Sequence, residues 1–209
     1  MKRPWIRFLL AVLFTVQFGL PVSALAAPPT SKVGQFSFIS GDVSILRAGS
    51  KIEPLVRSEV YQGDAIVTGK GAAAKVTLED DSVITIDQNS RFEIRNFSLQ
   101  DGSRTARIFL AYGKIVADVK RFIGGKNSFV MESPTTAANL RGTVVEFVVV
   151  IGPSGIPTTT VTCISGSVTI TTAGGTVTLA AGQTAIAAGA AMPTVTTATT
   201  AAAAAGAAG

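Results

Sequence analysis

The densest group of side chains that could do chemistry in this sequence is acidic. Glu79, Asp80 and Asp81 are consecutive, and Asp87 follows shortly after them. Clustered carboxylates are the ligands that calcium prefers. The sequence has no Asp-x-Asp-x-Asp-Gly loop, however, and a tight turn before Val83 accounts for the same residues. We therefore predict a turn, with a calcium site as the alternative, and expect no metal and no cofactor.

Catalytic combinations are scarce. The chain has no histidine and one cysteine, which excludes a Ser-His-Asp triad, a Cys-His pair and a disulfide within the chain. Asp64, Thr68 and Lys70 could support acid–base chemistry, but the steps Gly63-Asp64 and Thr68-Gly69 have the composition of turns. We expect a protein that is not an enzyme, in which these residues have structural or interaction roles.

Arg141 is the charged residue with the most unusual setting. The triplet Arg141-Gly142-Thr143 directly precedes the most hydrophobic run of the chain, so we expect its guanidinium to be partly buried. A buried guanidinium needs a carboxylate, and Asp64 or Asp87 could supply it. The prediction is an ion-pair clamp, with Gly142 letting the backbone pass. The alternative is an arginine that contacts a ligand.

A basic stretch and the cysteine complete the candidates. The stretch consists of Arg104, Arg107, Lys114, Lys120, Arg121 and Lys126. Alternation along a sheet predicts that these side chains form a solvated outer surface. The alternative is a contact with anionic polysaccharide or lipid, made with an exposed loop over residues 122–125. Cys163 shares the parity of Val161 and is expected to be a small buried hydrophobe.

The elements that must position these residues are strands. Between about Val33 and Ala188, apolar and polar residues alternate in short runs separated by turn residues. Residues 144–151 are almost continuously apolar, which predicts a strand buried on both faces. Residues 134–140 offer one helical turn at most. We predict an all-β single domain of many short, mostly antiparallel strands, arranged as a sandwich or roll.

A faint internal repeat keeps a second architecture open. The segments beginning at Gly41 (GDVSI) and Gly63 (GDAIV) are echoed by those beginning at Gly166 (GSVTI) and Gly182 (GQTAI). Each unit is a glycine turn followed by a strand. The repeat predicts two similarly built edges of one sheet system, and a short β-helix would produce the same echo.

Both ends of the chain differ from this domain, which we place at residues 33–186. Residues 1–26 have the basic start, short apolar core and small-residue end of a signal peptide, with cleavage after Ala26. Cleavage leaves 15 basic and 13 acidic residues, a net charge of +2, so we expect no nucleic-acid partner. The apolar core is too short for a stable membrane span. Residues 187–209 are an Ala/Thr-rich, low-complexity tail, expected to be disordered or weakly ordered.

The strand region resembles a known family. The segments GDAIVTGKGAAAKVTLEDDSVITIDQNSRFEI, GKIVADV, SPTTAANLRGTVVEFVV and ISGSVTI, in this order, resemble the FecR domain of bacterial exported and envelope proteins. The resemblance covers roughly residues 36–185. Asp81 departs from it, because the family usually has glycine before Ser82; aspartate tolerates the left-handed conformation. The resemblance implies the fold and a role in the periplasm or on the cell surface, through protein or glycan contacts.

Three functions follow as expectations. The best-known relatives are iron-uptake regulators with a membrane helix and a cytoplasmic sigma-factor-binding segment, and we expect neither here. The leading expectation is a binding or scaffolding module that contacts an envelope protein through loops or a sheet edge. The second is a signalling component with a separately encoded partner. A glycan-binding module ranks last, because sugar-binding sheets usually present exposed Trp and Tyr, and after signal cleavage only Tyr61 and Tyr112 of these two residue types remain.

Overall fold

The structure is a computed structural model that describes residues 31–197. The predicted signal peptide at residues 1–26 lies outside the described residues, and so does the end of the predicted tail. Every regular element between residues 31 and 197 is a strand. Within this range, no helix is long and apolar enough to cross a membrane.

The chain forms seventeen strands that hydrogen bonds connect into one system. In chain order these are β1 (Lys32–Ser40), β2 (Val43–Arg47), β3 (Ser50–Ile52), β4 (Glu59–Tyr61), β5 (Ala65–Thr68), β6 (Ala73–Leu78), β7 (Val83–Ile86), β8 (Ser90–Gln100), β9 (Ser103–Asp118), β10 (Asn127–Glu132), β11 (Ala137–Leu140), β12 (Val144–Ile151), β13 (Pro157–Ser165), β14 (Ser167–Thr172), β15 (Gly175–Ala180), β16 (Gln183–Ala188) and β17 (Thr194–Thr197).

These strands form two sheets that share the long strand β9. The first sheet has the order β4-β1-β6-β7-β9-β12-β13-β16-β17. The second has the order β3-β2-β5-β8-β9-β10-β11-β14-β15. Among the described strands, β9 and β10 are the parallel pair and the other neighbours are antiparallel. The prediction of an all-β fold with mostly antiparallel strands is confirmed.

One hydrophobic core serves both sheets. Phe36 and Phe147 of the first sheet and Phe92 and Phe129 of the second are fully buried and belong to the same apolar cluster. Burying side chains of this size stabilises the fold by about 1.5–3 kcal/mol each. Two mostly antiparallel sheets around a common core favour the sandwich over the β-helix alternative, because a β-helix stacks parallel coils.

The prediction that residues 144–151 are buried on both faces is wrong. In β12 the buried side chains alternate, and the last two residues, Val150 and Ile151, are 58% and 54% exposed. The residues of β12 are almost all apolar although only every second side chain is buried, because one face of this antiparallel strand is turned toward solvent.

The helical turn allowed at residues 134–140 is also absent from the described structure. The Ser133 hydroxyl does accept hydrogen bonds from the backbone N–H groups of Thr135 and Thr136, at 3.2 and 3.0 Å, as a helix cap would. The chain then continues as β11, because its backbone pairs with β10 on one side and β14 on the other. Tertiary pairing therefore overrides the local helix signal.

The glycine repeat corresponds to a real likeness between the two halves of the fold. Gly41 and Gly166 precede β2 and β14, which lie beside the edge strands β3 and β15 at opposite ends of the second sheet. Gly63 precedes β5 of the second sheet, whereas Gly182 precedes β16 of the first. The repeat is therefore local, and the two halves place their second strands in different sheets.

The tail was expected to be disordered or weakly ordered, but its first part contains regular structure. Residues 194–197 form β17, an edge strand antiparallel to β16, with Thr197 opposite Gln183 and Thr194 opposite Ile186. Threonine and valine favour extended backbone, and β16 offers an open edge to pair with. Residues 198–209 lie outside the described residues.

Gly113 allows β9 to serve both sheets. It lies where β9 passes from the second sheet to the first, with a φ of 101°, a conformation that side chains disfavour. A Cβ atom at this position would overlap Ser90 of β8. Ser90 itself accepts a hydrogen bond from the Lys114 N–H through its hydroxyl, at 3.0 Å. The crossing of the two strands therefore requires a residue without a side chain.

We expect Gly113→Ala to lower the free energy of unfolding by about 3–5 kcal/mol, because backbone strain adds to the clash with Ser90. Urea denaturation followed by circular dichroism measures the change. Gly182→Ala is the matched control: its φ is 82°, and nothing lies within 4 Å of the added atom. It should cost about 1–2 kcal/mol. Equal losses in both variants would show that the contact with Ser90 is unimportant.

Candidate functional site

Asp64, predicted as a site residue, forms a buried ion pair with Arg47. Its carboxylate is fully buried and accepts hydrogen bonds from Arg47 Nε at 2.8 Å and Nη2 at 2.7 Å. The Tyr61 N–H also donates to it at 2.8 Å, and the Arg47 guanidinium lies 4.5 Å from the Tyr61 ring centroid. The hydrogen bond to Asp64 raises the pKa of Arg47. This pair ties β2 to the turn before β5.

The residues predicted together with Asp64 hold the same corner of the fold. Thr68 donates a hydrogen bond to the Asp87 carbonyl at 2.6 Å, and its hydroxyl accepts one from the Ser90 N–H at 3.0 Å. Gly69 N–H donates to the Asp42 carbonyl at 2.8 Å. Gly63 adopts a φ of 89° and donates to the carbonyl of Ile94 at 2.8 Å. These contacts join neighbouring strands, so the structural interpretation of the group fits the geometry.

The predicted ion-pair clamp at Arg141 is wrong. Arg141 is exposed, and within residues 31–197 it makes no ion pair. The Asp64 carboxylate forms its ion pair with Arg47 instead. The apolar run after Arg141 misled the prediction, because the turn that carries Arg141 lies at the surface although the first buried residue of β12, Val145, follows only four residues later.

Gly142 and Thr143 bring the Arg141 turn against the segment that follows β9. Gly142 has a φ of 69°, and a Cβ atom there would lie 3.0 Å from Arg121 Cβ and 3.1 Å from Arg121 Cα. The Val119 N–H donates to the Thr143 carbonyl at 2.9 Å. The expectation that Gly142 lets the backbone pass is met, but the neighbour is Arg121. These residues are not grouped with Asp64 or Thr68.

Arg104, which was predicted to lie on a solvated outer surface, is buried. Its side chain is fully buried, pairs with the Asp80 carboxylate and donates through Nη1 to the Lys120 carbonyl at 3.0 Å. Its guanidinium lies 5.2 Å from the ring centroids of both Phe122 and Phe129. The alternating pattern of β9 could have indicated that Arg104 is buried, because Arg104 occupies the same alternate positions as the buried residues of that strand.

The acidic group forms the predicted turn. Asp81 N–H donates to the Leu78 carbonyl at 3.0 Å, and Asp81 adopts a φ of 63°, the conformation that favours glycine. Asp80 accepts from the Ser82 N–H at 3.1 Å and from its hydroxyl at 2.8 Å. Between residues 31 and 197, no three metal-ligating side chains converge. Asp80 therefore stabilises the turn through Ser82 and forms the ion pair with Arg104.

An open groove beside the β10–β11 turn is lined by hydroxyl groups, among them those of Ser133, Thr135 and Thr136. Thr159 is buried and hydrogen-bonds the hydroxyls of Ser133 and Thr135, at 2.7 and 2.6 Å. Ser133 also contacts the Thr136 hydroxyl at 2.9 Å. Because these groups bond to one another, they fasten the turn to β13.

The edges of the two sheets differ in charge. The edge strands of the N-terminal half, β3 and β4, are short and carry Lys51 and Glu59, the latter 3.4 Å from the Lys32 ammonium. The edge strands of the C-terminal half, β15 and β17, have no charged residue, because Glu146 is the last charge in the chain. All four residues of β17 are exposed. Charged and short edges resist pairing with another chain, whereas uncharged ones permit it. The edge at β17 is therefore the candidate interaction site.

Comparison with known proteins identifies the family and the fold. The sequence model of the family described as FecR protein matches residues 64–169. Two crystal structures, at 1.65 and 2.50 Å, of a candidate anti-sigma factor from Parabacteroides distasonis superpose with a TM-score of 0.53 at 14% identity. The superposition covers 64% of this chain and 59% of that one, so this chain spans less than two thirds of its structural neighbour. No curated protein matches the sequence significantly.

We expect the buried pair between Arg104 and Asp80 to be sensitive to removal of one partner. Arg104→Met should lower the free energy of unfolding by about 3–5 kcal/mol, because it leaves the Asp80 carboxylate uncompensated. The double variant Arg104→Met with Asp80→Leu should recover much of the loss. Urea denaturation measures both changes. Arg141→Ala is the control and should stay within about 0.5 kcal/mol; equal effects at the two arginines would contradict this assignment.

Cys163 is fully buried, as predicted, and burial raises the pKa of its thiol. The thiolate is the reactive form, so a raised pKa and burial both slow its chemistry. With a disulfide reagent at pH 8, we expect the folded protein to react at least about 100-fold more slowly than the protein in urea. Absorbance of the released thiol measures the rate. Immediate reaction of the folded protein would show that the β13 region opens readily.

Proposed function

The chain belongs to the FecR protein family, and on this basis we propose that its domain is a protein-binding module of the cell envelope that catalyses no reaction. The partner is a protein, which adds an extended segment to the open edge at β17. The observation that carries this proposal is the difference in charge between the protected edges β3 and β4 and the uncharged edge β17.

The proposed location is the periplasm or the cell surface. The support is the basic, apolar and small-residue order of residues 1–26, which is typical of a secretory signal. Cys163 is compatible with an oxidising compartment, because its thiol is buried and has no second cysteine to pair with.

Strand addition suits the geometry of β17. An antiparallel edge of four residues presents roughly four backbone hydrogen-bonding groups to a new strand. Each bond contributes about 0.5–1.5 kcal/mol net, so the edge alone supports weak binding. Exposed apolar side chains near this edge add to it: Val195 on β17 is 40% exposed, and Ile186 on β16 is 41% exposed and lies on the opposite face of the sheet. The partner segment should therefore be extended and should alternate apolar residues.

A second candidate function is signalling with a separately encoded partner. The structural neighbour from Parabacteroides distasonis, described as a candidate anti-sigma factor, favours it. In this version the strand added at β17 belongs to a protein that transmits a signal. The two candidates share the same surface and differ in the identity of the partner.

Glycan binding has less support. The Tyr61 ring lies against the Arg47 guanidinium, and the Tyr61 hydroxyl donates a hydrogen bond to Glu59. The ring and the hydroxyl therefore both have partners within the domain. Tyr112 is 38% exposed and is a single aromatic. Sugar-binding sheets generally need several exposed aromatic faces, so we favour a protein partner.

The test is capture from envelope extracts with the full chain and four variants. Ending the chain after Thr197 should preserve capture, whereas ending it after Ala191, which removes β17, should abolish it. The double variant Thr194→Lys with Thr196→Lys should reduce capture at least tenfold, because charge on an edge opposes strand addition. Ser50→Lys on β3 is the control and should have no effect. Mass spectrometry identifies and quantifies the captured protein.

Two results would count against the proposal. Capture that survives loss of β17 would move the binding surface elsewhere on the domain. Capture that disappears when only residues 198–209 are removed would place it in the tail. Melting curves of every variant separate a loss of binding from a loss of folding.

A further inference from the structure

Two exposed arginines, Arg121 and Arg141, lie on segments of the chain that meet at the surface. In the pairing of β9 with β12, Asp118 lies opposite Val144. The hydrogen bond from Val119 to Thr143 continues this antiparallel register beyond the ends of both strands. The backbones stay in contact beyond this hydrogen bond, where Gly142 packs against Arg121.

Gly142 makes this approach close. The two segments touch at Gly142 and Arg121, where a Cβ atom on the glycine would lie 3.0 Å from Arg121 Cβ. Arg141 immediately precedes the glycine, and both arginines are exposed. Two exposed arginines are therefore carried by backbone segments in direct contact.

The chain provides no visible compensation for this pair of like charges. Within residues 31–197, neither Arg121 nor Arg141 makes an ion pair, and the neighbouring Asp118 carboxylate is 2.9 Å from the Lys120 ammonium. Four other arginines each contact a carboxylate, namely Arg47, Arg95, Arg104 and Arg107. Like charges held near each other at a protein surface repel, and solvent and salt screen this repulsion only in part. A bound anion would relieve this repulsion.

An exposed apolar side chain follows Arg121 in the same loop. Ile123, two positions after Arg121, is 91% exposed. Its loop is held in place, because the Gly125 N–H donates to the Gly102 carbonyl at 2.7 Å and Phe122 lies against Arg104. The surface therefore combines two cations with one fixed apolar contact.

We propose that Arg121 and Arg141, with Ile123 in the loop of Arg121, bind an acidic segment of a protein partner that carries two carboxylates next to an apolar side chain. This rests on the proposed function, in which the partner is a protein. Guanidinium groups match carboxylates in planar, two-bond geometry. An anionic membrane fits less well, because two arginines and one isoleucine provide too little attraction for stable attachment.

The experiment is an NMR titration of the isotope-labelled full chain with the peptide acetyl-Glu-Leu-Glu-amide. We expect saturable shifts at the backbone amides of residues 119–126 and 140–144. Arg121→Gln and Arg141→Gln should each weaken binding about five- to tenfold. Arg57→Gln is the matched control, since Arg57 is also exposed, and should leave binding unchanged. The neutral peptide acetyl-Gln-Leu-Gln-amide should cause no saturable shift.

Charge reversal provides a second, independent measurement. Arg141→Glu should abolish binding of the acidic peptide and raise the melting temperature by about 1–3 °C, because it places a carboxylate instead of a second cation near Arg121. A purely structural role for Arg141 would lower the melting temperature instead. A lower melting temperature would therefore overturn the proposal.

Other outcomes would also overturn it. Equal shifts with the neutral peptide, or binding that is unchanged in both glutamine variants, would remove the arginine pair as the site. Binding of phosphatidylglycerol vesicles that depends on Arg141, without binding of the peptide, would assign the surface to lipid. The titration uses no extract and leaves β17 intact, so its failure is separate from a failure of strand addition at that edge.

Discussion

The constraint on which the rest of the structure depends is the passage of β9 through both sheets. Its first part pairs with β8 and β10, and its second part pairs with β7 and β12. Because one strand supplies the middle of each sheet, the strands before it and after it lie on opposite sides of it in both. The two halves of the chain therefore share a core although they share few direct strand contacts.

Burial of Arg104 at the start of this strand follows from the same constraint. After β9 ends in the first sheet, the chain must return to the second sheet to begin β10 parallel to the start of β9. Residues 119–126 make this return, and Arg104 holds them through the Lys120 carbonyl and the Phe122 ring. Asp80 neutralises the arginine from the turn after β6. A buried ion pair adds little net stability but fixes one geometry, here that of the return loop.

The sequence was sufficient for the class of the fold and insufficient for its long-range partners. Alternation and turn residues identify strands because both are local properties, and Asp81 could be assigned to a left-handed turn for the same reason. The partner of Asp64 could not be found this way, because it depends on the pairing of β2 with β5. Arg104 was misplaced although its parity pointed inward, since a charge in the core contradicts the usual composition of buried positions. The prediction for Arg141 was wrong in the opposite sense, since Arg141 was expected to be partly buried and is exposed. Hydrophobic neighbours in sequence do not imply burial of the turn before them.

The distribution of charge separates two kinds of surface in one small domain. In the N-terminal half, most charges are paired within the fold or protect its edges, as at Arg47 and Glu59. After Glu146 the chain has no charge, so its edge strands can pair with another chain but cannot attract one from a distance. The unpaired arginines at positions 121 and 141 lie at the junction between these halves. An acidic partner would be attracted there by charge and held at β17 by backbone hydrogen bonds, so the two surfaces divide the tasks of encounter and retention.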